Sequence, residues 1–370
     1  MTRALITGGA GFIGSHVAAA LLDAGHDVRV LDNLSPQVHG SDRRRPAYLA
    51  QEVELMVGDM TDELAVERAL HGVDRVMHLA SIVGVGQSMY DIESYVRTNE
   101  LGTATLLQAL TKRPVGRLVV ASSMSIYGEG LCRDEDGRAV SPDERSVSQL
   151  KRADWEVQDT AGRPLTPLAT PETKRPSLSS IYALNKYAQE RMCLITGKAY
   201  GIPTVALRFF NVFGPNQALS NPYTGVLAIF AARLLNGRAP LVFEDGLQRR
   251  DFVHVRDVAR ACLLALESSH SDDVFNIGSG RSRTILSIAH DLARVMERAA
   301  LVPRIAGKYR AGDIRHCFAD IAKSRTLLGF EPRVEFEEGL DELACYLADQ
   351  VADDQAEKAT DELLRRGLVA

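Results

Sequence analysis

The first fourteen residues constrain this chain more than any other stretch. Arg3 to Thr7 is short and mostly apolar, reads as a strand, and runs straight into Gly8-Gly9-Ala10-Gly11-Phe12-Ile13-Gly14. Beyond Ser15 the apolar residues recur with helical spacing as far as Leu22. Strand, glycine turn and helix in that order form the setting in which a dinucleotide pyrophosphate meets a helix N-terminus. Gly9, Gly11 and Gly14 satisfy G-x-G-x-x-G, while Gly8, Gly11 and Gly14 give a wider G-x-x-G-x-x-G spacing. Glycines serve a sharp backbone turn and let a phosphate approach unpaired N–H groups.

A second strand, Asp27 to Leu31, ends in Asp32-Asn33, and Asp32 lies 18 residues beyond Gly14. That is close to the distance at which an acid takes the adenosine ribose hydroxyls. Its charge repels a 2′-phosphate, so NAD is expected over NADP. Arg43-Arg44-Arg45 is the competing signal: it could serve such a phosphate, or be a solvated loop. Three further strands, Val53 to Val57, Arg75 to Leu79 and Leu118 to Ala121, each run into polar residues. Alternation of strand and helix predicts an α/β fold, a Rossmann-like doubly wound parallel sheet with ligands at the strands' carboxyl ends.

A separate signal lies at Ser180-Ile181-Tyr182-Ala183-Leu184-Asn185-Lys186. Tyr182 and Lys186 are one turn apart on a helix and share a face. A phenol is a weak base near neutral pH, and a neighbouring ammonium favours the phenolate. Such a pair can move a proton on and off an alcohol. Alone, the spacing also fits a solvated helix face.

The 370 residues allow one large or two medium domains, with 45% hydrophobic and 25% charged residues, as in a soluble α/β protein. A net charge of −5 leaves no concentrated basic face for nucleic acid. No apolar run is long enough for a bilayer, and the N-terminus shows no signal peptide. Five scattered cysteines, 132, 193, 262, 317 and 345, lack metal or disulfide spacing, so no metal and a reducing, cytoplasmic setting are expected.

Together these motifs are similar to those of the extended short-chain dehydrogenases/reductases of the nucleotide-sugar epimerase/dehydratase family, from Arg3 to about Tyr346. Thr7 to Gly14, Asp32-Asn33, Asp59-Met60, His78-Leu79-Ala80, Asn99 with Gly102-Thr103, Ser122-Ser123, Ile126-Tyr127-Gly128 and Tyr182 to Lys186 carry the resemblance. Leu207 to Asn211, Gly214-Pro215, Arg249 to Val255 and Arg310 to Asp313 continue it. It implies NAD as cofactor, contacted by Gly8, Gly11, Phe12, Ile13, Gly14, Asp32, Asn33, Asp59, Met60, Leu79, Ala80, Ser81 and Asn99, with Asn99 acting through structure or water. Ser123 would bond the reacting sugar oxygen, Tyr182 would be base and acid, and Lys186 would grip the nicotinamide ribose. Asn211, Arg250 and Arg310 would hold the substrate diphosphate, Asp313 the nucleoside ribose, and Pro240-Leu241 the base. Val85, Ser88 and Ser125 would face the sugar. Arg250 and Arg310 could instead pair with Asp251 and Asp313, and His78 and His254 read as structural.

The resemblance also implies a division into a NAD-binding domain (1–205, with 248–265), a smaller mixed α/β substrate domain (206–347) and a polar tail (348–370). A homodimer is expected through the helices beginning near Asn99 and Tyr182, with Ala104, Leu107, Ala183, Tyr187 and Ala188 in contact.

The family's dehydratases carry Asp-Glu where this chain has Met124-Ser125, and its decarboxylases usually carry an acid at the Ser125 position. What remains is 4-epimerisation. Val83 replaces a lysine of UDP-galactose 4-epimerases. The 55 residues from Tyr127 to Tyr182 exceed the family's usual spacing, and the insert at about 129–178 holds two similar tracts, Asp134 to Arg138 and Asp159 to Leu165. The insert, the loop Val83 to Tyr90 and the tract Asn221 to Val226 resemble dTDP-L-rhamnose 4-epimerases, some with zinc-knuckle cysteines that are missing here apart from Cys132. A dTDP-6-deoxyhexose such as dTDP-L-rhamnose is therefore expected. The alternatives are a UDP-hexose or UDP-hexuronate 4-epimerase and, of another class, a non-catalytic NAD-binding sensor or scaffold.

Overall fold

A computed structural model describes residues 2–219, 221, 223, 225–310, 312–350 and 354–370. Strands β1 (Arg3–Thr7), β2 (Asp27–Asp32), β3 (Glu54–Val57), β4 (Arg75–His78), β5 (Arg117–Ser123), β6 (Thr204–Phe209) and β7 (Asp273–Ile277) form one parallel sheet, in the order β7-β6-β5-β4-β1-β2-β3. The order reverses between β1 and β4, which opens a crevice beyond their carboxyl ends.

Alternate strand residues feed two cores, as the pleat requires. Ala4, Ile6, Val119 and Leu207 join Val17, Leu21, Val258 and Cys262 on one face. Leu5, Leu118, Val120 and Ala206 join Leu106, Leu110 and Cys193 on the other. Helices Phe12–Asp23 and Val255–Glu267 thus cover one side, and Gly102–Lys112 and Ile181–Tyr200 the other. Every residue of β5 is buried, which is why it reads as a continuous apolar run ending in serines.

The expected boundary at 205 falls inside β6, and β7 comes from the stretch assigned to the second domain. Both belong to the main sheet because Leu207, Phe209, Phe275 and Ile277 complete its core. The rest of the later half has its own core: Phe213, Phe230, Phe252, Ile288, Leu292, Phe336 and Leu340. Strands Asn211–Phe213 and Arg249–His254 and helices Val226–Leu235, Ile285–Val295 and Phe336–Ala348 supply it, and strand Ser282–Thr284 pairs beside Arg249–Asp251.

The insert forms a small antiparallel sheet of Cys132–Arg133, Ala139–Val140 and Thr166–Pro167, over Cys132, Val157 and Leu165. Its two similar tracts fold alike. Asp134 Oδ1 accepts from the Arg138 N–H at 2.8 Å, and Asp159 Oδ1 from the Arg163 N–H at 2.9 Å. Gly137 and Gly162 take the positive φ that each turn requires, 82° and 79°. Residues 354–370, read from sequence as a polar tail, instead contain helix Ala356–Arg365 with Ala359, Leu363 and Val369 buried.

Candidate active site

The cofactor end is assembled from backbone. Gly8 has a φ of 70°, and a Cβ there would meet Ala80 backbone at 2.8 Å; on Gly14 it would lie 2.5 Å from the Gly8 carbonyl oxygen and Gly9 Cα. Beside this turn lies a cavity of about 380 Å³ walled by Gly8, Gly11–Gly14, Asp32, Asn33, Asp59, Met60, Leu79–Ser81, Ser123, Tyr182 and Lys186. Asp32 Oδ2 accepts from the Ala10 N–H at 3.0 Å and Oδ1 from the Leu34 N–H at 2.9 Å, which fixes the carboxylate at the end of β2. Asn33 Nδ2 donates to Asp59 Oδ2 at 2.9 Å. Hydrogen bonds from Asn33 and Thr61 hold the Asp59 pKa low against its partial burial. A cradle that a Cβ would fill, with a carboxylate at the second strand end, fits a dinucleotide.

The arginine run divides. Arg43 donates to the Asn33 carbonyl at 2.6 Å, Arg45 to those of Ala50 and Val53, and exposed Arg44 pairs with Asp42 at 3.7 Å. Asn99 does not line the cavity. Its amide is spent on Ile82, accepting from the N–H at 2.8 Å and donating to the carbonyl at 3.0 Å, so it braces the loop after Ser81. His78, also away from the cavity, sits between Thr7 at 2.7 Å and Thr103 at 2.9 Å; burial pushes its pKa down to about 3. His254 caps helix Val255–Glu267 and packs on Phe213.

Tyr182 is the second residue of helix Ile181–Tyr200, which the Ser180 hydroxyl caps. Its phenol lines the same cavity wall as Ser123, whose hydroxyl accepts from Ser125 Oγ at 2.8 Å. Burial raises the phenol's pKa, Ser123 opposing. The expected lowering by Lys186 is not what this arrangement gives: the ammonium turns to Gln189 Oε1 at 2.8 Å, and burial lowers its own pKa to about 8. Gln189 passes the chain on, donating to Thr103 Oγ1 at 2.9 Å. Its spacing of three from Lys186 could have flagged it.

Ser123 and Tyr182 also border a second cavity of about 460 Å³, with Val85, Ser125, Asn211, Leu241, Arg250, Arg310 and Asp313 in its wall. Arg310 Nε and Asn211 Oδ1 are buried there without a hydrogen-bond partner among the described residues. The Arg310 guanidinium lies 5.3 Å from the Phe243 ring centre. Arg250 pairs with Asp313 at 3.6 Å and donates to the carbonyls of Arg249 and Arg315, both at 3.0 Å. Asp251 is no partner of Arg250; fully buried, it accepts from the Ser279, Gly280 and Ala319 N–H groups.

Two expected substrate residues stand back from the cavity. Ser88 is buried and donates to the Val85 carbonyl at 2.7 Å while accepting from the Tyr182 N–H at 3.1 Å, so it ties the sugar-side loop to the helix. Pro240 is buried, its carbonyl accepting from the Arg304 N–H at 2.9 Å. Pro222, Thr224 and Ala311 lie outside the described residues. Tyr223 reaches the Val83 loop through Tyr90, hydroxyl to hydroxyl at 2.6 Å.

The insert docks on this wall through buried charge. Arg145 pairs with Glu129 at 3.2 Å and Glu244 at 2.9 Å and donates to the Asp313 carbonyl at 2.9 Å. Arg315 binds Glu156, Glu244 and Asp245 at 2.6 to 3.0 Å. No cluster of three or more His, Cys, Asp or Glu suited to a metal occurs among the described residues.

The profile of the NAD dependent epimerase/dehydratase family matches residues 4–149 and 159–278. The chain belongs to this family. It is 34% identical to the dTDP-L-rhamnose 4-epimerase of Burkholderia thailandensis, over 94% of this chain and 96% of that protein. A UDP-glucose 4-epimerase from Thermotoga maritima, solved with UDP-glucose, superposes with a TM-score of 0.75 at 31% identity, covering 94% and 99% of the two chains. A UDP-glucuronic acid 4-epimerase from Bacillus cereus, solved with UDP-glucuronic acid and NAD, gives 0.76 at 26% identity over 94% and 99%. As a member of the epimerase/dehydratase family, the chain is an enzyme with NAD as its cofactor. No described helix is long and apolar enough to cross a membrane.

Proposed function

We propose that this chain is a nucleotide-sugar 4-epimerase acting on a dTDP-6-deoxyhexose such as dTDP-L-rhamnose. The observation that carries the reaction is the make-up of the substrate wall. Asp313 is the one carboxylate among its described residues, and it faces Arg250. Dehydration needs acid–base groups at carbon, and here Met124 and Ser125 follow Ser123.

Gly8 to Gly14, Asp32, Asp59 and Lys186 would hold NAD, which when bound supplies a hydride acceptor for C4 and then its donor. Ser123 would orient the C4 oxygen, and Tyr182 would take the hydroxyl proton and return it after the 4-keto sugar has turned over. Burial disfavours the phenolate, and positive charge in the neighbouring cavity would lower the Tyr182 pKa again and so populate the phenolate that takes the proton. Arg250 and Arg310 would meet the diphosphate, the orphan Arg310 Nε being suited to an anion.

The sugar assignment is supported by the 34% identity to a dTDP-L-rhamnose 4-epimerase and by the apolar groups, Val83, Val85, Met124 and Phe210, near the reacting end. A UDP-hexose or UDP-hexuronate reading draws on the T. maritima and B. cereus neighbours. A scaffold without chemistry is disfavoured by the assembled Ser123, Tyr182 and Lys186.

Incubation with dTDP-L-rhamnose, UDP-glucose and UDP-glucuronate, followed at C4 by NMR, tests both parts. Interconversion of dTDP-L-rhamnose with its C4 epimer is expected without NADH release. Faster turnover of either UDP sugar overturns the sugar, and a stable 4-keto-6-deoxy product overturns the reaction.

The same reading includes a cytoplasmic homodimer. Leu107 and Ala183 pack inside their own chain, whereas Val96, Leu101, Leu184 and Ile195 are 38–59% exposed on the two helical segments expected to pair. That apolar stripe, with exposed Ala104, supports a contact shifted from the expected one. Light scattering should give a dimer mass at micromolar concentration, and a monomer mass overturns it.

A further inference from the structure

Helix Ala356–Arg365 turns one edge inward, and Ala356, Ala359, Thr360 and Leu363 stand in the wall of the substrate cavity. Ten residues make a helix that is marginal alone, so its position depends on what holds it. Three ties do so. Tyr309 and Ala370 exchange backbone hydrogen bonds of 2.9 and 3.1 Å next to Arg310. Arg233, itself in the cavity wall and with its side chain 6% exposed, pairs with Asp354 at 3.5 Å and Glu357 at 3.4 Å. The Arg366 guanidinium lies over the Tyr90 ring at 4.2 Å, on the sugar-side loop.

Leu363 is the inmost of these residues. A Cβ placed on Gly86 would be 3.2 Å from Leu363 Cδ1 and 4.0 Å from Arg310 Cδ, so Leu363 lies where that loop meets the arginine. Two residues on, Ser88 bonds the Tyr182 N–H. A ligand reaching from Tyr182 towards Leu241 would run along the wall that Leu363 shares with Val85 and Gly86 of the sugar-side loop. Glycine at 86 leaves room for the leucine there.

Resting on the nucleotide-sugar reading above, we propose that residues 354–370 form part of the substrate site and that Leu363 is a specificity-determining contact to the sugar end of the ligand. The segment closes the cavity over an uncharged sugar face, and the Arg233 pairs latch it.

Titration calorimetry of the NAD-loaded full chain with UDP, dTDP, UDP-glucose and dTDP-L-rhamnose gives the reference. Leu363→Ser should weaken the tighter-binding nucleotide sugar about tenfold, the scale of one lost apolar contact, and leave UDP and dTDP within about twofold. Leu363→Met should restore it. A chain ending at Gln350 should keep its NAD, because the cofactor cavity uses nothing beyond Asn221, and weaken all ligands that the full chain binds. If that chain fails to fold, the Leu363 variants decide alone. Unchanged nucleotide-sugar affinity in Leu363→Ser, or an equal loss for UDP and dTDP, overturns the assignment. A full chain that binds none of the four ligands overturns the nucleotide-sugar reading itself, an outcome visible before any variant is made.

Discussion

The two cavities meet at Phe12, Ser123 and Tyr182 but are walled by different material. The cofactor side is built around a backbone turn at the end of β1, beside the ends of β2 and β4, packed so closely that one Cβ at Gly14 has no room. The substrate side is side chain, drawn from segments hundreds of residues apart and held by ion pairs: Arg250 to Asp313, Arg145 to Glu244, Arg233 to Asp354. A backbone cradle is fixed once the sheet forms. A wall of paired side chains depends on several distant contacts together, and exchanging one alters the ligand admitted while leaving the sheet intact.

The shared wall gives the largest expected effect. Tyr182→Phe removes the proton acceptor and keeps the ring, so turnover should fall about 10²–10⁴-fold while NAD and nucleotide-sugar binding persist. Single-turnover kinetics with the authentic substrate check it, and near-normal rates would mean that another group moves the proton.

Gly14→Val tests the backbone side. Its Cβ would press on the Gly8 carbonyl and Gly9 within a turn that cannot give way, so NAD retention should drop by about 10²-fold or more. Cofactor content after gel filtration reads this directly. Retention of stoichiometric NAD would show that the cradle is softer than its packing implies.

Arg310→Ala tests the side-chain side. A charged hydrogen bond contributes about 1.5–3 kcal/mol, so nucleotide-sugar affinity should fall by roughly 10–100-fold with NAD content unchanged. Parallel loss of NAD would erase the distinction between the two walls.

The same distinction explains what could be read from the chain. The strand, glycine turn and helix at Arg3 to Leu22 are local, Asp32 follows 18 residues beyond Gly14, and Tyr182 and Lys186 lie one turn apart on a single helix, so the cofactor side was legible. Asn99 and Ser88 carry the right spacing but their polar atoms are spent on Ile82, Val85 and Tyr182, a fact that depends on how loops pack. Residues 354–370 looked polar because most of their helix faces water; Ala359 and Leu363 gain meaning only beside Gly86 and Arg233, far away in sequence. The insert was visible as an excess of length. Its two matching turns were visible as repeated tracts, and its docking through Arg145 and Arg315 was not.

The smallest effect concerns the burial of Lys186, which belongs to the backbone-built side yet is a strained charge within it. Burial lowers its pKa from 10.5 to about 8, so between those values the unfolded chain binds a proton that the folded chain lacks. Stability from this group therefore rises with pH across that window, and below about pH 8 the full cost of the buried ammonium is present. Lys186→Met removes the charge and keeps the stem. In NAD-free protein it should raise stability near pH 7 by on the order of 1–3 kcal/mol. The gain should shrink towards pH 10, where the native lysine is already neutral when folded. Thermal melts of both proteins at pH 7 and pH 9.5 measure the difference. A gain that stays constant with pH would trace it to packing, and a loss at both would show that Gln189 compensates the ammonium fully.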